Sequence, residues 1–445
     1  MMKSIWHETK SLTRHPQLPG SIHTEAAVIG GGLAGILTAF YLTQSGIRTI
    51  VLEARQIGSG QTGGTTAKIT AQHGLIYQKL MKTFGENHAR LYAAANRQAV
   101  TEYARLIRSR SIECGFQEAS ACLYTCSSDE PLQREYAAAC RLGIPARLSP
   151  ETELPLPVRS ALYFPHQAQF HPLKFLEAIS KELTIYEETP VTSVKGHKIL
   201  TPQGEVLAKH IIFACHSPFL LWPGLYFARL YQSRNYMLAL AGAPKLKAMY
   251  LGIDPDGHSL RTAGEKLILG GPGCRTGTIP DNPYQSLQNF VHKYYPSAKA
   301  AARWSAQDCI SLDGIPLIGR YSMLEPDWYV ITGFGKWGMT SSMAAAQIIS
   351  RMICRKSAPW DHIFTPQRVR LKASWREALM HLSISSQGLA AGLFSPDRRC
   401  PHMGCRLVWN PYENTWECPC HGSRFTQQGK LLSGPAQTDR CSCQR

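Results

Sequence analysis

Two short boxes near the C-terminus carry the densest chemistry in the chain. One reads Cys400-Pro-His402-Met-Gly-Cys405, and the other, beginning 13 residues after Cys405, reads Cys418-Pro-Cys420-His421-Gly-Ser423. Each sets thiols beside an imidazole at the spacing of a transition-metal site, and zinc uses Cys and His in this way. Six of the 14 cysteines (Cys400, Cys405, Cys418, Cys420, Cys441 and Cys443) fall in the last 46 residues. That clustering points to a local metal module rather than a disulfide scaffold running through the chain.

A second constellation lies near the start. Ala26 to Ile29 is a small apolar run, Gly30-x-Gly32-x-x-Gly35 follows, and Leu33 to Gln44 has helical spacing. A further apolar run, Thr49 to Leu52, ends at Glu53. Strand, glycine turn, helix, strand and terminal acid form a dinucleotide site. Gly30 permits the tight turn, Gly32 lets the backbone approach a pyrophosphate, and Gly35 lets helix and strand pack closely. The helix N-terminus offers free N–H groups and partial positive charge to the phosphates. Glu53 accepts hydrogen bonds from ribose hydroxyls.

The elements that must position these groups fit a chain of 445 residues, long enough for two or three domains. Its N-terminus (MMKSIWHETK) has no apolar secretory region, and no run of 18 apolar residues suggests a transmembrane segment. A cytoplasmic location is expected. The net charge of +17 is spread along the chain without a Lys/Arg block, which reads as a solvated basic surface and not as a nucleic-acid footprint. Residues 1–22 read as an irregular arm. The Gly/Thr/Ser-rich stretch Ile57 to Gly74 reads as a loop wrapped around a cofactor, and Leu80 to Ile112 as a packing helix. A hairpin is expected over Lys198 to Leu207, and His210 to Cys215 reads as a buried strand returning to the first sheet, with Cys215 a core thiol. Gln232 to Ala241, Leu251 to Thr262 and Lys266 to Gly271 read as antiparallel strands of a second, substrate-facing sheet. Another GxGxxG, Gly333, Gly335 and Gly338, follows a strand and opens a helix (Met339 to Met352). No acid ends a later strand at the required distance, so a nicotinamide site is not inferred there.

From Ala26 to Arg351 the chain resembles the D-amino-acid-oxidase/glycine-oxidase superfamily of flavoproteins. The resemblance rests on GGGLAG with Glu53, the IIFACHSPF return strand and the closing LDGIPLIG…ITGFGKWG segment. It implies an α/β Rossmann-type FAD-binding domain with an inserted antiparallel-sheet substrate domain. It also implies non-covalent FAD and hydride removal from a C–N bond. It places Val191 near the adenine and Thr65 and Thr66 near the pyrophosphate or ring. The helix opened by Gly335 and Gly338 would point its positive end at the flavin ring. Where amino-acid oxidases of this family carry a carboxylate-clamping arginine, the present chain has Asp308, which favours an amine-like or cationic substrate. Arg234 and Arg261, with Tyr231 and Tyr236, are the remaining candidates for a substrate clamp.

The C-terminal boxes resemble a small all-β Rieske [2Fe–2S] domain. That resemblance implies thiolate ligation of one iron by Cys400 and Cys418 and imidazole ligation of the other by His402 and His421. It implies a disulfide between Cys405 and Cys420, and a hydroxyl on Ser423 that raises the cluster potential. Phe425 stands where respiratory-type domains carry a tyrosine hydroxyl. Residues 366–392 read as a linker with a shortened, partly helical Rieske base, leaving an N-terminal arm (1–22), an oxidoreductase domain (23–365) and the cluster domain (393–445). Cys441 and Cys443 read as tail thiols. The fused architecture resembles bacterial FAD-dependent oxidoreductases with a C-terminal Rieske domain. The expected function is oxidation of an amine or amino-acid-like substrate, with electrons passing from FAD to the cluster and on to an external acceptor. The rival expectation is an electron-transfer protein whose flavin is reduced by a partner, with the cluster serving an oxygenase or acting as a redox sensor.

Overall fold

The computed structural model describes residues 4–440; Cys441 and Cys443 lie outside them. The first sheet forms around β1 (Ile22–Ile29), whose last four residues are all buried. Helix α1 (Leu33–Gln44) returns the chain to β2 (Thr49–Leu52), which pairs parallel with β1. On the other side of β1 lies β3 (Gly204–Phe213), also parallel. The predicted return strand is therefore in place, and the hairpin before it is formed with Lys198–Thr201. This eight-stranded sheet packs α1 against α2 (Gly338–Ile353) in one apolar core.

The second sheet has ten strands among the described residues. Its centre is the long antiparallel pair β4 (Leu230–Ala241) and β5 (Lys299–Ser311). The segment expected as one strand over Leu251 to Thr262 is two, Met249–Gly252 and Ser259–Ala263, because the chain turns through Gly257. The helix expected over Leu80 to Ile112 is likewise two, Ile76–Phe84 and Glu86–Ser109, broken where Gly85 takes φ +87°.

Two further expectations are corrected. The N-terminal arm is a built element: Ile5–Thr9 is helical, Ile5 and Trp6 are buried, and Trp6 Nε1 donates to Thr65 O at 2.7 Å. Ser4 Oγ donates to Gly63 O in the same loop. The stretch expected as linker and shortened Rieske base contains one long helix, α3 (Leu371–Leu393). It leads into a four-stranded antiparallel sheet of β6 (Val408–Asn410), β7 (Thr415–Glu417), β8 (Arg424–Thr426) and β9 (Leu431–Ser433). The missing base strands are replaced by α3 and by β4 and β5, on which the small domain sits. No helix among the described residues is long and apolar enough to cross a membrane.

Candidate cofactor and cluster sites

The glycine loop between β1 and α1 shows why each glycine is there. A Cβ on Gly35 would stand 1.9 Å from Gly30 O, so the helix could not approach the strand. Gly30 takes φ +113° against the Ala214 carbonyl. A Cβ on Gly32 would meet only Thr62 Oγ1, at 3.5 Å, so packing does not require a glycine there. What it leaves is an open approach to the backbone, the cradle a pyrophosphate needs. Glu53 at the end of β2 accepts from Gly31 N (2.6 Å) and Arg55 N (2.9 Å). Burial raises its pKa, and these two amides oppose the rise.

A cavity of about 970 Å³ opens from this loop. Gly30, Gly32, Glu53, Thr65, Thr66, Val191 and Gly338 all line it, as does Cys215, whose thiol burial pushes up to about 12. Gly35 and Gly335 do not. Gly35 serves the helix–strand contact, and Gly335 N donates to Cys309 O at 2.9 Å, between cavity-lining Phe334 and Lys336. The size, the open glycine cradle and the terminal acid fit FAD.

Asp308 on β5 lines the same cavity. It accepts from Asn235 Nδ2 at 2.9 Å, and Asn235 Oδ1 accepts from Lys336 Nζ at 3.1 Å. Burial raises the Asp308 pKa to about 6, while Lys336 and the Asn235 amide pull it back. Lys68 also lines the cavity. Its Nζ donates to Tyr250 O (2.7 Å) and Ser259 Oγ (2.6 Å), and burial with Arg261 nearby lowers its pKa to about 7. Lys336, Asn235 and Lys68 were missed in the sequence. A lysine inside the GFGKWG turn and a lysine within the otherwise uncharged Gly/Thr-rich stretch Ile57 to Gly74 were the available signals.

The other clamp candidates are corrected. Arg261 is buried away from the cavity, donates to Ala67 O (3.0 Å) and stacks over Trp6. Arg234 faces the opposite side of the sheet. It is 1% exposed, donates to Glu413 Oε2 at 2.9 Å and is paired with Glu417, both from the C-terminal domain. Burial works against its charge, and the two carboxylates more than offset this, so its pKa is raised. Tyr236 accepts from Asn410 Nδ2 at 3.1 Å in the same interface, and Tyr231 lies under the Arg275 guanidinium. Arg234 and Tyr236 thus face the C-terminal domain and not the cavity.

The two metal boxes converge. Cys400 and Cys418 are buried with their thiols in hydrogen-bond contact, and the His402 and His421 rings lie 5.0 Å apart. His402 Nδ1 and His421 Nδ1 are buried with no hydrogen-bond partner. Burial lowers their pKa values to about 4 and about 3, His402 adding to the effect on His421. Neutral, orphaned imidazole nitrogens beside two thiols fit a two-thiolate, two-imidazole cluster. Ser423 Oγ touches the Cys400 thiol, and Phe425 is fully buried without a hydroxyl to offer. Cys405 and Cys420 are free thiols here, and their Sγ atoms lie, with that of Cys418, within 4.8 Å of one another.

Helix α3 backs this site. A Cβ on Gly388 would stand 2.5 Å from Cys420 Sγ, and one on Gly392 would stand 2.0 Å from Gly404 O. His381 on the same helix lies 5.7 Å from the His421 ring. Its Nε2–H donates to Phe227 O at 2.8 Å, and its Nδ1 accepts from Arg275.

Comparison with known proteins agrees with both sites. The DAO family, FAD-dependent oxidoreductase, matches residues 25–352, and the Rieske [2Fe–2S] domain matches residues 390–442. The chain is 35% identical to the Rieske 2Fe-2S iron-sulfur protein YhfW of Bacillus subtilis, over 98% of this chain and 96% of that protein. It is 22% identical to gamma-glutamylputrescine oxidoreductase of Escherichia coli, over 75% of this chain and 84% of that enzyme. Glycine oxidase from Geobacillus kaustophilus shares the fold, with a TM-score of 0.67 at 20% identity, over 78% of this chain and 99% of that one. The chain thus belongs to the DAO family of FAD-dependent oxidoreductases, with FAD as its flavin cofactor, and carries a C-terminal Rieske [2Fe–2S] domain.

Proposed function

We propose that the protein oxidises the C–N bond of an amine or amino-acid-like substrate in the cavity. The electrons then pass from the flavin site to the Rieske site and on to an external acceptor. Bound FAD supplies a two-electron acceptor and the cluster a one-electron acceptor. Glu53 and the glycine loop are assigned to FAD, and Cys400, His402, Cys418 and His421 to the cluster.

The observation that carries this reading is the shared wall between the two sites. Asp308 and His216 line the cavity. Gln307, next to Asp308, donates from Nε2 to Gly422 O at 2.7 Å. His216 contacts Gln232, whose Cγ would stand 2.2 Å from a Cβ on Gly422. The residue after His421 is thus pressed against the strands whose neighbouring residues form the cavity wall. Such a contact suits a fixed route between two redox centres and has no use in an oxidase that discharges to oxygen alone.

On the substrate side, the Asp308 carboxylate holds a substrate ammonium, and Asn235 fixes its orientation. Lys336 gives a substrate carboxylate a cationic partner. The likeness to gamma-glutamylputrescine oxidoreductase supports an amine-bearing substrate. The test is anaerobic addition of candidate amines and amino acids to the holoprotein. Bleaching of the flavin bands followed by the paramagnetic signal of the reduced cluster is expected. Bleaching by a reduced carrier protein, with no response to any amine, would replace this reading with the electron-transfer one.

A further inference from the structure

The small sheet of the Rieske domain has two faces, because successive side chains on β6 and β7 point to opposite sides. Asn410 and Glu417 turn inward, to Tyr236 and Arg234 of the oxidoreductase domain. Trp409 and Trp416 are paired across the two strands, with their rings 5.2 Å apart, and line a groove of about 590 Å³. Arg398, Arg406 and Arg440 line the same groove, and no acidic side chain does among the described residues. We infer that this groove docks the external electron acceptor, and that the acceptor is a carrier protein with an acidic surface. The inference rests on the reading that electrons leave through the Rieske site.

Position is the first argument. Both ligand boxes run into the groove: Arg398 stands two residues before Cys400, Arg406 directly after Cys405, and Trp416 two residues before Cys418. Backbone bonds join the first box to the groove wall. Cys400 N donates to Cys405 O at 2.8 Å, and Leu407 N donates to Arg398 O at 2.7 Å. Trp416 also packs against the buried core of Cys400, Cys405, Cys418 and Phe425. One ring therefore borders the cluster core on one side and the groove on the other. Charge is the second argument. Arg398 and Arg440 lie over the Trp416 ring, at 5.6 and 4.9 Å from its centre, and Arg406 is exposed. Among the described residues none of the three is in an ion pair. Guanidinium groups held flat on an aromatic floor keep their N–H edges for carboxylates and steer their approach. A second copy of this chain, with its charge of +17, is repelled from such a face. The step moves one electron from the Rieske site to the carrier, which is reduced as the site is oxidised; no bond forms or breaks.

The experiment uses the full-length holoprotein and two one-electron probes, plastocyanin with an acidic surface and cytochrome c with a basic one. Binding is read by calorimetry with every partner oxidised, so that no electron moves. Plastocyanin should bind at low salt and lose about tenfold in affinity at ~150 mM salt, and cytochrome c should not bind. The double variant Arg398→Glu, Arg406→Glu should weaken plastocyanin binding by about tenfold or more. Flavin and paramagnetic cluster signals confirm that the variant is intact. After chemical reduction of the cluster, its oxidation by plastocyanin should slow in the variant by a similar factor. Its oxidation by benzoquinone, a small uncharged acceptor, should not change. Equal plastocyanin affinity in wild type and variant would overturn the inference, and so would preferred binding of cytochrome c. A single-stranded oligothymidylate that displaces plastocyanin from the wild type and does not bind the variant would assign the groove to nucleic acid instead. Reduction of the cluster by substrate is measured separately, so its failure would leave the docking result standing.

Discussion

Under the proposed function, Asp308 sets the charge of the substrate that the cavity accepts. Its folded pKa, about 6, lies above the ordinary aspartate value because burial outweighs Lys336 and the Asn235 amide. Above that pH the group is a carboxylate, and below it the group is neutral. Affinity for a cationic substrate is therefore present at pH 7 and is lost as pH falls through about 6. A plot of kcat/KM against pH should show this acid limb, falling about tenfold per pH unit. Asp308→Asn should remove the limb and raise KM by about tenfold or more, the cost of one charge contact of at least ~1.4 kcal/mol. At the cluster, Ser423→Ala removes one hydroxyl from the Cys400 thiol. A contact of about 1 kcal/mol corresponds to a fall of about 40 mV in a one-electron potential, read by redox titration of the paramagnetic signal.

Helix α3 turns a sequence that reads as linker into the floor of the cluster site. Its glycines, Gly388 and Gly392, mark where it crosses the cluster loops, and neither position has room for a methyl group. Gly392→Ala presses on the Gly404 carbonyl, between the first ligands and Cys405. The expected outcome is a lower ratio of iron to flavin in the purified protein, with flavin content unchanged. An equal ratio would show that the loop yields without losing its ligands. The same helix carries exposed Trp375, Leu379 and Leu382 on its outer side, an apolar face that its sequence pattern alone would assign to a core.

At the scale of the whole molecule, the central feature is that the Rieske domain is locked to the oxidoreductase domain. Arg234 sits with Glu413 and Glu417 in a buried network that Arg424 joins, at 3.5 Å from Glu413. Removing one member strands buried charge. Arg234→Met should cost roughly 3–5 kcal/mol, seen as a lower Tm and as separate unfolding of the two domains in calorimetry. If the two domains still melted as one unit, the network would not be what holds them together. Docking also supports a cluster domain with few strands of its own, because its buried Glu413 and Glu417 find their charge partner in Arg234 of the other domain.

Local chemistry was legible because it is written in short spacings. The glycine loop with Glu53, the two Cys/His boxes, the return strand at His210 and the acid at Asp308 each depend on residues near one another in the chain. The family and both cofactors followed from them. What lies between distant segments was decided only by folding. Arg234 and Tyr236 read as substrate residues because they sit on the right sheet; whether a strand residue faces the cavity or the neighbouring domain depends on register and on where that domain docks. Lys68, Asn235 and Lys336 come from three separate segments and meet only in the folded cavity. The role of α3 was hidden for the same reason. A helix that covers a cluster and a helix that spans a gap have the same local pattern, and only the partner surface distinguishes them.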